Sequence, residues 1–531
     1  MMMQLPSLNF ALLKAKLFYF FFVSAMVTLM PYLYLYYKHV LFLSPKQVTI
    51  LMAVRPMCLI ISAPLLGTIA DKTNRFRPVM LLCLLGYIVT YSIVSLIEPP
   101  ENPNCNSIAA RLAPANHTSS MNKSTISTKP DTALQDFYYP GRLMEDSIYS
   151  WPFSMQDYSS NENLSKDLFT TLLVLIIIGE LCSSPAYTFA DVYTLQTLEH
   201  DSHKYGYQLL PGVIGTGIVS AVMILLTHVK IMDIENPCQK TAILSNKPFF
   251  YQFLIFIGLS LIIAAFFKYH TSSEYKKDAS ASSQVCGCKI LEAVKLMFSN
   301  ASHASFLFIV LLCGVGDGAK MSFAYTFLGD LGIKHKGEHL LPIITATHFL
   351  SHIVCLALSP YLIKRFGHMK LVTAGVLVYA LSFIVYGIVD DPTWVFLIEP
   401  LDGIARQLAR VAIISYIGSP PEIGAALQGL THAIYLGLGA GIGTFICGYL
   451  VHQYGYIMVF IIMGALYLIG FGFCLAVNHF LPYEKTIYES FASVYSHLPT
   501  AGSEADFDFL LRDMTSEESD KVESKEDQGI F

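Results

Sequence analysis

Apolar runs about 20 residues long, the length that crosses a bilayer core as a helix, constrain this chain more than any other feature. Twelve of them read approximately 17–37, 48–70, 78–97, 168–190, 208–228, 249–268, 304–328, 340–362, 371–389, 393–417, 423–449 and 456–480. Lipid offers no partner to backbone N–H and C=O groups, so each span is expected to be a helix and the fold an all-α membrane protein. Composition agrees: only 14% of the 531 residues are charged, against about a quarter in soluble domains. Lys14 and Lys16 precede a very aromatic first span that ends in no small-residue cleavage site. That span is read as a retained helix, not a cleavable signal.

Lysine and arginine mark the loops kept on the cytosolic side. With the N-terminus inside, those loops hold Lys72, Arg75 and Arg77, then Lys268, Lys276, Lys277, Lys289 and Lys295, then Lys364, Arg365 and Lys370. The stretch 98–166, rich in Asn, Ser, Thr and Pro, then falls outside, where its N-x-S/T acceptors at Asn116 and Asn122 can be glycosylated. Cys105 and Cys238 also fall outside, where a disulfide between them is one option. Both termini are cytosolic on this reading, in the plasma membrane or an endolysosomal one.

The spans divide six and six. A cytosolic N-terminus (1–16) precedes a first half (17–268), a cytosolic linker (269–296), a second half (297–481) and a polar tail (482–531). The tail is acidic from Glu504 and lacks the apolar content to pack, so disorder is expected. Its Asp506-x-x-x-Leu510-Leu511, Tyr488-x-x-Phe491 and Tyr495-x-x-Leu498 resemble sorting signals, which makes adaptor proteins candidate partners.

Ionisable groups at membrane depth cost about 2.5–3.5 kcal/mol each on insertion scales, so they mark partners or function. The tenth span carries Glu399, Asp402, Arg406 and Arg410. At 100° per residue Glu399, Arg406 and Arg410 lie within about 40° of one another, with Asp402 about 60° off. This stripe reads either as a self-neutralising i,i+4 pair or as the wall of a central cavity for a polar solute or a proton. Glu180 and Asp191 share a face of the fourth span. Glu180, near mid-membrane, is the first choice of proton carrier, and Asp191, near the cytosolic end, reads as structural.

The seventh span holds Gly314-Val-Gly316-Asp317-Gly318-Ala-Lys320, which reads as a bendable binding helix or as an Asp317–Lys320 pair on a gentle kink. Arg55 has no acid nearby in sequence, which leaves Glu180, Asp317 or a substrate carboxylate to answer it. His348, His352 and His432 lie inside spans. His352 joins the cavity set as a group that titrates near neutral pH. Two histidines without a carboxylate make a poor metal site, and no cofactor is implied. Gly437-x-Gly439-x-Gly441-x-Gly443 lacks the preceding strand of a nucleotide loop and reads as a tight helix contact.

Between the second and third spans stands Gly67-Thr-Ile-Ala-Asp71-Lys72-Thr-Asn-Arg75-Phe-Arg77. It resembles the G-x-x-x-D-[RK]-x-x-x-R-[RK] loop of the major facilitator superfamily. The resemblance implies twelve transmembrane helices in two six-helix parallel-repeat halves, with these five residues as a cytosolic gate. Leu17 to Phe22, Arg55-Pro56, Gly179-Glu180 through Pro185, Tyr205-Gly206, Leu362 to His368 and Gln428 to Gly439 are similar to a narrower group. That group is major facilitator superfamily domain-containing protein 6 and its relatives, close to the lactose-permease and nucleoside-symporter branch. It implies a proton-coupled secondary transporter of a small polar solute, with a cell-surface receptor or adaptor role as the alternative. The chain departs from the group where Leu209 stands in place of an arginine and His352 in place of an acid. No catalytic nucleophile constellation and no G-x-x-x-x-G-K-[ST] is present, so neither an enzyme nor an ATP-driven pump is expected, and no nucleic-acid partner.

Overall fold

The computed structural model describes residues 9–41, 43–97, 162–232, 248–269, 289–299, 301–334, 340–389, 392–418 and 423–481. The predicted outer loop with Asn116, Asn122 and Cys105 lies outside them, as do Cys238, most of the linker and the acidic tail. Among the described residues there are helices and turns and no strands. The helices are α1 (Phe10–Leu35), α2 (Pro45–Thr73), α3 (Phe76–Leu96), α4 (Glu162–Ser183), α5 (Ala186–Leu198), α6 (Tyr205–Met232) and α7 (Pro248–Ala264). The second half follows as α9 (Ala301–Lys334), α10 (Leu340–Phe366), α11 (His368–Ile388), α12 (Pro392–Ile417), α13 (Gly424–His432) and α14 (Ala440–Phe480). Between the halves a short helix, α8 (Lys289–Ser299), occupies the end of the segment read as linker.

Every predicted span is occupied by helix. The fourth is α4 and α5, interrupted at Pro185, which has no N–H to offer the ladder. The eleventh is α13, a wide turn over Ala433–Gly439, and the first part of α14. α14 breaks at Gly455, whose φ of 76° is open to glycine at little cost, and the twelfth span begins there. Asn74 (φ 53°) ends α2 and Gly367 (φ 81°) ends α10, so the two halves turn the corner at matching places.

The helices are apolar on both their inner and outer faces. On α3, Cys83, Leu84, Tyr87, Tyr91 and Val94 are buried, while Leu82, Leu85, Val89, Ile93 and Leu96 are exposed. A helix hydrophobic all round belongs inside a large core or a bilayer. The outer face here is lipid-facing surface. Seven described stretches are long and apolar enough to cross a membrane, and the chain is an integral membrane protein. Free cysteines at 58, 83, 313, 355, 447 and 474 are buried and pack as small hydrophobes.

Glycine lets backbones touch where α9 meets the α13–α14 junction. A Cβ at Gly314 would strike the Tyr435 carbonyl, one at Gly318 the Ala440 carbonyl, and one at Gly443 the Val315 carbonyl. The glycines of α9 therefore serve close packing along a helix that runs without interruption from Ala301 to Lys334. By contrast, Gly441 faces open space. Gly443→Ala is expected to lower stability by about 1–3 kcal/mol through overpacking, while Gly441→Ala leaves it unchanged or raised. Thermal melts of the purified variants in one detergent check the pair.

Candidate functional site

Three groups of polar side chains sit among these apolar helices. In the first half, Pro185 ends α4 one turn past Glu180, and Gly179 packs directly on Thr90 of α3. Glu180 is thereby held against α2 and α3. Its Oε1 accepts from Arg55 Nε at 2.6 Å and from the Tyr91 hydroxyl at 2.8 Å. Of the partners left open by the sequence, Arg55 therefore takes Glu180. The Glu180 side chain is sealed (2% exposed), whereas the Arg55 side chain keeps 20% of its surface.

In the second half, α9, α11 and α12 bring Asp317, Lys320, Asp402 and Arg406 together. Lys320 Nζ donates to Asp402 Oδ1 and to the Ser382 hydroxyl. It stands 4.9 Å from the ring centre of Phe383 and 5.0 Å from that of Tyr386, within cation–π range. Arg406 Nη2 donates to Asp402 Oδ2 at 2.5 Å, and its Nε lies 3.6 Å from Asp317 Oδ1. Tyr379 and Tyr435 donate their hydroxyls to Asp317, and Tyr386 donates to Glu399. Two acids and two bases thus form one neutral network, with Glu399 joined through Tyr386. Lys320 pairs across to α12 rather than within α9, so the Asp317–Lys320 pair considered from sequence is replaced by a wider one. His352 is half-buried on α10.

The third group joins the halves at the end of the bundle that carries the α2–α3 turn. Asp71 accepts from the backbone N–H groups of Ala425 (3.2 Å) and Ala426 (2.6 Å) in the first turn of α13. An anion at a helix N-terminus meets unpaired N–H groups and the positive end of the dipole. The predicted gate is therefore a carboxylate on a helix end, while Lys72, Arg75 and Arg77 are exposed. Gly67 makes the approach possible: a Cβ there would lie 2.5 Å from the Ala425 carbonyl oxygen. Deeper in, His432 Nε2 of α13 is 3.1 Å from Asp191 Oδ2 of α5. Arg410 of α12 lies 5.1 Å from the ring centre of Tyr187 of α5. The single stripe read on the tenth span is in fact divided. Glu399 serves Tyr386, Asp402 and Arg406 serve the second-half network, and Arg410 crosses to the first half.

The MFS_1 like family model matches residues 12–462. The chain belongs to the MFS_1 like family. Solved members of the major facilitator fold superimpose on nearly all of it. The nucleoside transporter NupG aligns at 15% identity over 89% of this chain and 100% of its own, with a TM-score of 0.51. The E. coli fucose:proton symporter FucP aligns at 12% identity over 88% and 98%, with a TM-score of 0.58. The proton:xylose symporter XylE aligns at 15% identity over 91% and 98%, with a TM-score of 0.56. At these identities the likeness establishes the fold alone.

For this MFS_1 like chain, sequence reading found the charges and missed their hydroxyl partners. Tyr379, Ser382, Phe383 and Tyr386 recur at i, i+3, i+4 and i+7, one face of α11, and that period was the available signal. Removing one member of a buried ion pair costs about 3–5 kcal/mol because its partner is left uncompensated. Asp402→Leu strands Lys320 and leaves Arg406 only the longer contact to Asp317, whereas Lys320→Met leaves Asp402 with Arg406. Asp402→Leu is therefore expected to depress the thermal midpoint well below that of Lys320→Met, and adding Lys320→Met to it is expected to restore part of the loss.

Proposed function

We propose that this chain is a proton-coupled secondary transporter of a small polar solute, working by alternating access of its two six-helix halves. One observation carries the reading. Each half holds a buried ion pair in which one carboxylate side chain is sealed and its arginine side chain keeps some exposed surface, Asp317 of the second network being exposed to the same 11% as Arg406. Arg55 is 20% exposed beside Glu180 at 2%, and Arg406 is 11% exposed beside Asp402 at 0%. Structural ion pairs have no need of an open cation. A solute with hydroxyl, carbonyl or carboxylate oxygens has such a need, because a planar guanidinium recognises oxygens through paired N–H groups.

The same arrangement supplies a coupling step. A solute oxygen that draws Arg55 away leaves Glu180 with the Tyr91 hydroxyl alone. A carboxylate without its cation at membrane depth is costly, so Glu180 takes up a proton. Solute and proton are then bound together, with Glu180 neutral and the charge of Arg55 met by the solute's oxygens. On this reading, with the N-terminus inside, the Asp71 contact closes the cytosolic end and a solute reaches Arg55 and Arg406 from the other side. The names of NupG, FucP and XylE refer to nucleoside, fucose and xylose, polar solutes rich in oxygen, and two of the three refer to a proton.

Uptake of labelled nucleosides, deoxyhexoses, pentoses and organic anions into proteoliposomes under an inward proton gradient tests the proposal. At least one class is expected to accumulate and to be lost on adding a protonophore. Glu180→Gln is expected to keep solute exchange at equilibrium while losing gradient-driven accumulation, and Arg55→Gln to weaken solute binding about tenfold, roughly 1.4 kcal/mol. If folded protein moves none of these solutes with or without the gradient, the transporter reading fails.

A further inference from the structure

The His432–Asp191 contact has no part in the networks that face the cavity, yet it spans the two halves. Asp191 is fully buried on α5 and His432 nearly so on α13. One oxygen of Asp191, Oδ1, accepts the Tyr19 hydroxyl of α1 at 2.6 Å and the Tyr205 hydroxyl of α6 at 2.7 Å. The first half thus holds a carboxylate with two donors already on it. Its other oxygen, Oδ2, points at His432 Nε2, the group the second half contributes. On the far side of the ring, His432 Nδ1 lies 3.2 Å from the Thr188 hydroxyl.

This geometry serves the imidazole in both charge states. Oδ2 of a carboxylate only accepts, and neither it nor Nε2 has a hydrogen-bond partner, so the 3.1 Å contact is all that stands between them. The threonine hydroxyl can donate to a bare Nδ1 or accept from a protonated one. A proton on the ring therefore enters without displacing any partner, and it turns a close contact between the halves into an ion pair. The other titratable and charged groups facing the pair are Tyr19, Tyr205, Tyr187 and Arg410. The tyrosines stay protonated near neutral pH and the arginine stays charged. Histidine is the group whose unperturbed range falls there.

We infer that His432 and Asp191 form a second proton-binding site, separate from the solute cavity, whose occupancy locks the Asp71 end of the bundle shut. α13 carries both contacts: the Asp71 carboxylate sits at its first turn and His432 closes its last, about 10 Å apart along the axis. Opening that end withdraws α13 from α5 and α2 together. With His432 neutral, the withdrawal breaks hydrogen bonds; with it charged, it also parts an ion pair in an apolar setting. The closed form therefore binds the proton more tightly, and by linkage acid favours the closed form. The inference deepens the alternating-access proposal and rests on it.

Hydrogen exchange of full-length protein in lipid nanodiscs tests the lock without a cargo. The amides of Ala425 and Ala426 exchange when Asp71 lets go. Wild type and His432→Gln are compared at one pH at a time, so the chemical exchange rate cancels. Gln keeps an N–H for Asp191 but takes no proton. At about pH 5.5 the wild-type amides are expected to exchange about tenfold more slowly than those of the variant, and at about pH 8 to match them within a factor of about two. Asp191→Asn is expected to erase the same acid protection. Equal exchange in wild type and variants at both pH values overturns the lock, as does wild-type protection that grows with pH. If His432→Gln does not fold, Asp191→Asn and the wild type's own pH dependence, corrected for chemical exchange, decide by the same criteria. Because this readout involves no solute, loss of the lock and failure of transport are scored separately.

Discussion

A carboxylate at membrane depth must be met by a cation or a hydroxyl, and much of the interior of this protein follows from that requirement. Glu180 has Arg55 and Tyr91; Asp402 has Lys320 and Arg406; Asp317 has Tyr379 and Tyr435; Glu399 has Tyr386; Asp191 has Tyr19 and Tyr205. Phenols suit this task because the ring packs as a hydrophobe while the hydroxyl donates. Each acid therefore fixes the rotation of at least one neighbouring helix. α11 presents Tyr379 and Tyr386 one turn either side of Ser382 because Asp317 and Glu399 need them there.

Backbone contact between helices follows a different rule. Lipid tails are as apolar as leucine, so burying side chains gives helices no net reason to associate, and close packing of small residues supplies it. Gly314, Gly318, Gly439 and Gly443 bring α9 onto the α13–α14 junction within the second half, and Gly67 and Gly429 bring α2 onto α13 between the halves. The first set is permanent on the alternating-access proposal. The second has to part in each cycle, and glycine surfaces come apart without the reorganisation that interlocked long side chains require.

The twelve spans, their helical state and the family were legible in the sequence because lipid enforces them residue by residue. The charged positions were legible for the same reason, since an ion inside an apolar run stands out. Which charge meets which was not. Helical periodicity placed Glu399, Arg406 and Arg410 on one stripe, but partners are set by neighbouring helices and by depth. Arg410 sits about three turns further along α12 than Glu399 and so meets Tyr187 of the other half, not Asp317. Asp191 read as structural from its place near the cytosolic end, and the groups around it, Tyr19, Tyr205 and His432, were out of sight because they come from three other helices. The phenol donors went unseen because tyrosine counts as an apolar residue in a hydropathy profile, and the glycines of α9 looked like a hinge because the backbone packed against them lies over 100 residues away.

The strongest contacts divide by location, and the division matches what a moving transporter requires. Within each half, acids meet full cations at short range: Arg55–Glu180 in one, Lys320–Asp402–Arg406 in the other. Such buried pairs cost several kcal/mol to break without a replacement partner, which on the alternating-access proposal would hold each half together as it moves. Between the halves, the described polar contacts include a carboxylate on backbone amides, an imidazole beside a carboxylate and a threonine hydroxyl, and a guanidinium over a phenol ring. A helix N-terminus can exchange Asp71 for water at modest cost, and an imidazole can shed its charge before it leaves. If full ion pairs joined the halves instead, opening would strand two buried charges in each cycle. Placing permanent charges inside each half and exchangeable ones between them lets one sequence be rigid where it binds and mobile where it gates.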